Sequence, residues 1–163
     1  SFNRVKHIVP NILRRIDPSI VVGVGLNPSL DTVVVEAASV NIASFRIKDE
    51  DGYKADFEAI IEKGPLVEAT TMPLKEIYEE CTVKRRLRIR VGATIGTYLC
   101  NTLGYIIMNW AKRNNKVGGF LHIPPDTDLA MRLGLEHYMS LNEIIEAVKC
   151  AIESSVKNAK RLN

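Results

Sequence analysis

The sequence predicts a three-layer α/β domain, with helices on both faces of a mostly parallel, twisted sheet. Three observations carry that expectation. Ile20 to Leu26 (Ile-Val-Val-Gly-Val-Gly-Leu) is a continuous β-rich apolar run, the pattern of a parallel strand covered on both faces. Stretches with helical spacing alternate with strand-like runs along most of the chain. The connections between strand-like runs are too long for simple hairpins and read as crossovers. One domain over residues 1–163 suits this length.

The elements follow in order. Val9, Ile12, Leu13 and Ile16 form one apolar stripe, with Arg14 and Arg15 outside it, and Asp17-Pro18 ends this first helix. Ile20–Leu26 is the first strand, and Asn27-Pro28-Ser29 is a loop. A second β-rich stretch starts at Val33-Val34-Val35 and runs on through Val40, Ile42 and Phe45. Lys48 to Tyr53 is a surface turn, Gly64-Pro65 a break, and a helix is expected after Met72-Pro73, at Leu74 to Tyr78. Lys84 to Arg90 alternates, with Leu87 and Ile89 on one side and Arg86, Arg88 and Arg90 on a wet side, so Leu87 to Ala93 reads as a strand. Leu99, Leu103, Ile106, Ile107 and Trp110 mark a long helix that follows a tight turn at Gly96. Asn114 to Gly119 is a polar turn, and Phe120 to Ile123 a short strand stopped by Pro124-Pro125. Ser140-Leu141-Asn142-Glu143 is a capping box. It opens a last helix with Ile144, Ile145, Val148 and Ile152 on one face, and with Lys157, Lys160 and Arg161 toward its end.

Composition narrows the function classes. A 46% hydrophobic and 25% charged chain is ordinary for a globular protein, and a net charge of +3 gives little reason to infer a nucleic-acid or membrane partner. The arginine row could touch phosphate, although a solvated face accounts for it as well. No apolar run approaches a membrane span and no signal-peptide pattern opens the chain. The three cysteines, Cys81, Cys100 and Cys150, are odd in number and widely spaced. That fits neither a disulfide framework nor a zinc site, and points to a reducing, cytoplasmic setting. His7, His122 and His137 have no metal-ligand spacing, and no phosphate-binding loop or G-x-S-x-G elbow is present.

Three residues stand out as candidates, each with two readings. Cys100 falls in the first turn of a helix, where free N–H groups and the helix dipole favour a thiolate; it is either a nucleophile or a small buried apolar residue. His122 lies near the end of a strand, where parallel sheets place catalytic groups, and is either a base or a hydrogen-bonded core residue. Glu36 interrupts an apolar run and must be paired, either in a structural ion pair with Arg46 or as a carboxylate orienting a base. A cysteine, a histidine and a carboxylate together are what a cysteine peptidase needs.

In their order along the chain, these residues resemble the pyroglutamyl peptidase I (pyrrolidone-carboxylate peptidase) family. The segment Val35-Glu36-Ala37-Ala38-Ser39-Val40-Asn41, with Phe45-Arg46-Ile47 and Asp49, is similar to its glutamate block. Gly96-Thr97-Tyr98-Leu99-Cys100-Asn101 is similar to its nucleophile block, and Gly119-Phe120-Leu121-His122-Ile123-Pro124 to its histidine block. Val24-Gly25-Leu26 matches as well. The resemblance implies cleavage of an N-terminal pyroglutamyl residue from peptides, with Cys100 as nucleophile, His122 as general acid and base and Glu36 as the orienting carboxylate. It further implies that Arg46 supports the site, that the Cys100 N–H contributes to an oxyanion hole, and that Leu26, Ile47 and Tyr98 line the pyroglutamyl pocket. It implies a cytosolic homo-oligomer with no metal or organic cofactor, whose partners are pyroglutamyl peptides rather than nucleic acid or membrane.

The chain also departs from that family. Its members begin with a strand and a loop containing glycine and phenylalanine, whose rings hold the pyroglutamyl ring, and nothing here matches that segment. Leu30 and Ile95 stand where arginine and alanine are usual. The chain begins at Ser1 rather than Met, so a member shortened or trimmed at its N terminus is expected. Beside the peptidase reading stands a second one, a catalytically silent relative acting as an oligomeric scaffold or binding subunit.

Overall fold

In the computed structural model, which describes residues 1–162 and side chains through Ala159, the chain opens with helix α1 (Phe2–Ile16). Asp17 ends it in the left-handed conformation (φ 46°), its N–H donating to the Leu13 carbonyl. The expected stripe is turned. Leu13 is buried with Phe2, and Val5 and Val9 pack beside them, whereas Ile12 and Ile16 are exposed. Phe2 sets that rotation by stacking on Tyr53 and meeting Phe45 edge-on.

Strand β1 (Ile20–Leu26) follows, then β2 (Val33–Glu36). The expected long β-rich run is broken at Ala37. Its next piece, β3 (Ala38–Val40), leaves the main sheet and pairs antiparallel with β4 (Val67–Ala69) in a sheet of its own. Pro73 precedes a single helical turn, α2 (Leu74–Ile77), which widens into a π-helical turn over Tyr78–Lys84. Strand β5 (Ile89–Gly92) is shorter than expected. The nucleophile block opens α3 (Leu99–Arg113). Strand β6 (Val117–Ile123) begins inside the stretch expected to be a turn. A short helix, α4 (Thr127–Leu133), capped by the Asp126 carboxylate, has no counterpart in the sequence reading.

Helix α5 (Leu141–Leu162) starts at the expected capping box: Glu143 Oε2 accepts from Ser140 N–H at 3.0 Å, and Ser140 Oγ accepts from Glu143 N–H at 3.3 Å. Its inward face is Ile144, Ala147, Cys150, Ala151 and Ser155, and Ile145 and Ile152 of the expected stripe remain exposed. The Lys160 and Arg161 side chains lie outside the described residues.

The main sheet has the order β1-β6-β2-β5. β1 runs parallel to β6 and β2 parallel to β5, while the central pair β6 and β2 is antiparallel. Side-chain alternation sends Phe120 and His122 to the α3 face and Leu121 to the α5 face, where it joins Val33, Val35, Ile89 and Ala147 in the largest apolar cluster. The three-layer α/β expectation therefore holds.

The cysteine expectation does not hold. Cys81 and Cys150, 69 residues apart in sequence, meet with a Cα–Cα distance of 5.9 Å and form a disulfide that ties the π-helical turn to α5; Cys100 is the free thiol. Wide spacing hid the pair because only the packing of α5 against that turn brings the two together.

Candidate active site

Gly96, with φ +93°, takes a turn that suits glycine, and two residues later Tyr98 becomes the N-cap of α3. Tyr98 offers no side-chain acceptor to the helix and no acidic residue occupies the first turn, so the donors there stay available. Cys100 is the second residue of that turn and is half-buried. Its sulfur packs against β1 where there is no side chain: a Cβ on Gly25 would lie 3.0 Å from Cys100 Sγ and 2.8 Å from the tip of Phe120. The glycine in β1 is therefore the space that the thiol fills.

His122 faces the same side. It is paired in register with Gly25 of β1 and with Val34 of β2, so it projects between the strands toward α3. Glu36, paired with Phe120, lies on the same face one step along β2. Its Oε1 lies 2.7 Å from His122 Nδ1, and both residues are buried. Glu36 Oε2 has no hydrogen-bond partner among the described residues, so the hydrogen bonding of this carboxylate goes to the imidazole alone. Burial by itself would push the His122 pKa down. Cys100 on one side and Glu36 on the other outweigh that and push it up to about 9, so the ring is an imidazolium at neutral pH.

The backbone around the cysteine is held by the segment after Glu36. Asn101 is fully buried. Its Oδ1 accepts from Ser39 Oγ (2.6 Å) and Val40 N–H (3.0 Å), and its Nδ2 donates to the carbonyls of Val40 (2.8 Å) and Ile42 (3.0 Å). Ser44 N–H donates to the Thr97 carbonyl, Thr97 Oγ1 donates back to the Ser44 carbonyl, and Phe45 meets Tyr98 edge-on at 4.8 Å. The role of Asn101 was not read from the sequence. A polar residue in the otherwise apolar first turn of a buried helix was the available signal.

The other expected site residues are placed as follows. Tyr98 sits two residues before the cysteine, half-buried. Arg46 and Ile47 are exposed on the loop that passes Tyr98. The ion pair considered for Arg46 and Glu36 does not form: Arg46 is exposed on its loop, and the buried Glu36 carboxylate meets His122 instead. Leu26 alternates with Gly25 and so belongs with Val24 and Ile123 at the far end of β1, not with the Cys100 sulfur. Among the described residues no cluster of three or more His, Cys, Asp or Glu is placed to hold a metal, and no helix is long and apolar enough to cross a membrane.

A mostly parallel α/β sheet that brings a cysteine at a helix start toward a histidine–glutamate pair has the layout of a cysteine-peptidase family. The family model described as pyroglutamyl peptidase matches residues 1–158, and the chain belongs to that family. Its relatives include a pyrrolidone-carboxylate peptidase of Clavibacter michiganensis, 30% identical over 160 residues, which covers 97% of this chain and 74% of the relative. Another is pyrrolidone-carboxylate peptidase 1 of Caldanaerobacter subterraneus, 33% identical over 147 residues, covering 89% and 72%. Among solved structures, the pyrrolidone carboxyl peptidase of Thermococcus litoralis superposes with a TM-score of 0.90 at 29% identity, over 100% of this chain and 77% of that one.

Proposed function

We propose that this chain is a cysteine exopeptidase that removes an N-terminal pyroglutamyl residue from peptides. The observation that carries the reading is the 2.7 Å contact from Glu36 Oε1 to His122 Nδ1, with Cys100 on the other side of the same imidazole. Glu36 fixes the ring with Nδ1 protonated and stabilises its positive charge, which leaves Nε2 to exchange a proton with the thiol. The Cys100 thiolate attacks the pyroglutamyl carbonyl carbon, and the oxyanion is received by first-turn N–H groups of α3, that of Cys100 among them. The imidazolium gives its proton to the leaving amine as the C–N bond breaks. Water, deprotonated by the now neutral His122, then hydrolyses the thioester and frees pyroglutamate.

Tyr98 and Ile47, on the two segments joined by the Ser44–Thr97 hydrogen bonds, are the side chains the family resemblance assigns to the pyroglutamyl ring, and Arg46 adds positive charge on the same loop. No cofactor is called for by this chemistry. A cytoplasmic location rests on the family resemblance alone, since the cysteine count does not support it once Cys81 and Cys150 pair.

Release of a chromogenic amine from a pyroglutamyl amide tests the reading. Turnover is expected from the unaltered chain, with loss after alkylation of Cys100 and in Cys100→Ala. If the folded chain turns over no pyroglutamyl substrate while its thiol still reacts with iodoacetamide, the silent-scaffold reading replaces this one.

A further inference from the structure

Gly92 ends β5 although nothing in its backbone calls for glycine: it is buried, and its φ lies outside the left-handed region. Glycine in a strand costs conformational entropy and packs nothing, so it marks a place where another group comes close. Strand register identifies that group. Glu36 pairs with Gly92 on one side and with Phe120 on the other, so all three lie on the α3 face. A Cβ on Gly92 would stand 2.5 Å from Glu36 Oε2, 3.2 Å from Glu36 Cδ and 2.5 Å from Val34 Cγ1. The carboxylate fills the space that a side chain at this position would take. The two strands are held together at this point, where Ala37 N–H donates to the Gly92 carbonyl at 2.9 Å.

The oxygen that lies against Gly92 is also the one that stands alone. Among the described residues, Glu36 Oε2 is the single buried side-chain nitrogen or oxygen without a hydrogen-bond partner. Buried acceptors are nearly always satisfied, because a bare one has lost its water and gained nothing. Oε2 faces β5, on the side of β2 away from β6 and β1. On this face the strands contribute three charged or titratable side chains, Glu36, His122 and Arg90, and α3 contributes Cys100; β1 contributes only Val21, Gly23 and Gly25, and residues 93–97 carry no charge. Arg90 is in line with Val34, is exposed, and makes no bond to Oε2.

We propose that Gly92 is a positioning residue: the absence of a side chain there lets the Glu36 carboxylate lie against β5 with Oε2 bare, so that its charge acts on His122 alone. A donor on Oε2 would draw charge away from Oε1 and weaken the hold on the imidazole. A side chain at 92 would move Oε1 off Nδ1. Gly92 excludes both, and the cost of the unsatisfied oxygen is met by a stronger pair with His122. The role of that pair in catalysis rests on the peptidase reading above, whereas the placement of the carboxylate by Gly92 is a property of the folded chain without substrate.

Gly92→Ala tests it, in the full chain without substrate and then with a pyroglutamyl amide. Of the atoms the methyl would strike, Oε2 is the free end of a flexible side chain and Val34 Cγ1 is fixed in the sheet, so the carboxylate is the group that moves. The His122 pKa, followed by NMR of the imidazole, is expected to fall by at least about one unit. kcat is expected to fall on the order of 10–10²-fold with KM little changed. In a Glu36→Gln background the same replacement should leave the His122 pKa where Glu36→Gln puts it, because the charge to be displaced is already gone. A His122 pKa unmoved by Gly92→Ala, or lowered equally in both backgrounds, overturns the inference and makes Gly92 a packing residue. A lowered pKa in a chain that turns over no pyroglutamyl substrate supports the positioning role and overturns the peptidase reading instead. If Gly92→Ala does not fold, a crystal structure of the unaltered chain decides. Oε2 against Gly92 with no donor or water in hydrogen-bond reach supports the inference, and a donor or water on Oε2 overturns it.

Discussion

Glu36 Oε1 stands 2.7 Å from His122 Nδ1 across the antiparallel junction of the main sheet, between β2 and β6. The two residues are 86 positions apart in the chain. Because β6 and β2 run in opposite directions, Val34 pairs with His122 and Glu36 with Phe120, which sets the carboxylate diagonally from the imidazole on one face. That diagonal gives the buried imidazole a carboxylate partner instead of a backbone one.

Replacing the carboxylate by its amide should expose this role. Glu36→Gln keeps the shape and removes the charge, so the His122 pKa should fall from about 9 toward its ordinary value of 6.5. The alkaline limb of the kcat/KM profile should then move to lower pH, with kcat reduced on the order of 10²–10⁴-fold. Rate profiles for the two proteins between pH 5 and 10 check this, and an unmoved alkaline limb would count against it.

The same pair gives stability a sign with pH. The folded-state pKa of His122 is raised, so the native state holds this proton more tightly than the unfolded chain. Its contribution is fully present below the ordinary value of 6.5 and is lost as pH rises through about 9. Urea unfolding at steps across that window should show falling stability, and His122→Gln should lack this part of the slope.

Asn101 should matter without touching a substrate. Asn101→Ala leaves Val40 N–H and the carbonyls of Val40 and Ile42 without this partner, while Ser39 Oγ keeps only its bond to the backbone carbonyl of residue 101. The expected destabilisation is about 2–4 kcal/mol, from several buried groups losing a bond at once. Denaturant melts measure that loss. A readout beyond stability is the alkylation rate of Cys100 below the melting transition, which should change as the start of α3 loosens from β3.

Reduction should weaken the fold without reaching the site. Cys81–Cys150 closes a loop with a separation of 69 residues, which by the chain-entropy account contributes about 4 kcal/mol. Thiol titration of the denatured, unreduced chain should find one group, Cys100, and after reduction all three. The reduced chain should unfold at lower urea, and an unchanged midpoint would show that the cross-link does not constrain the unfolded ensemble.

Much of this was legible in advance, for identifiable reasons. Ile20–Leu26 declared itself because a strand buried on both faces must be apolar throughout, and the capping box at Ser140 because a helix start leaves donors that only certain side chains satisfy. The reading failed where neighbours decide. Ile12 and Ile16 have helical spacing but face solvent, because Phe2 anchors α1 in another rotation. The run from Val33 to Phe45 looks continuous, yet it changes sheets at Ala37, since β-propensity does not say which strand will be the partner.

The sequence by itself determined the layers of the fold, the placement of Cys100 in a first helical turn and the three blocks that carry the family resemblance. Each of these follows from local patterning or from short runs of particular residues. Only the tertiary structure decided which oxygen meets which nitrogen. It gave Glu36 to His122 rather than Arg46, seated the thiol in the space over Gly25 and joined Cys81 to Cys150. Those are relations between segments distant in sequence, fixed by strand register and helix packing, and register depends on every strand of the sheet at once.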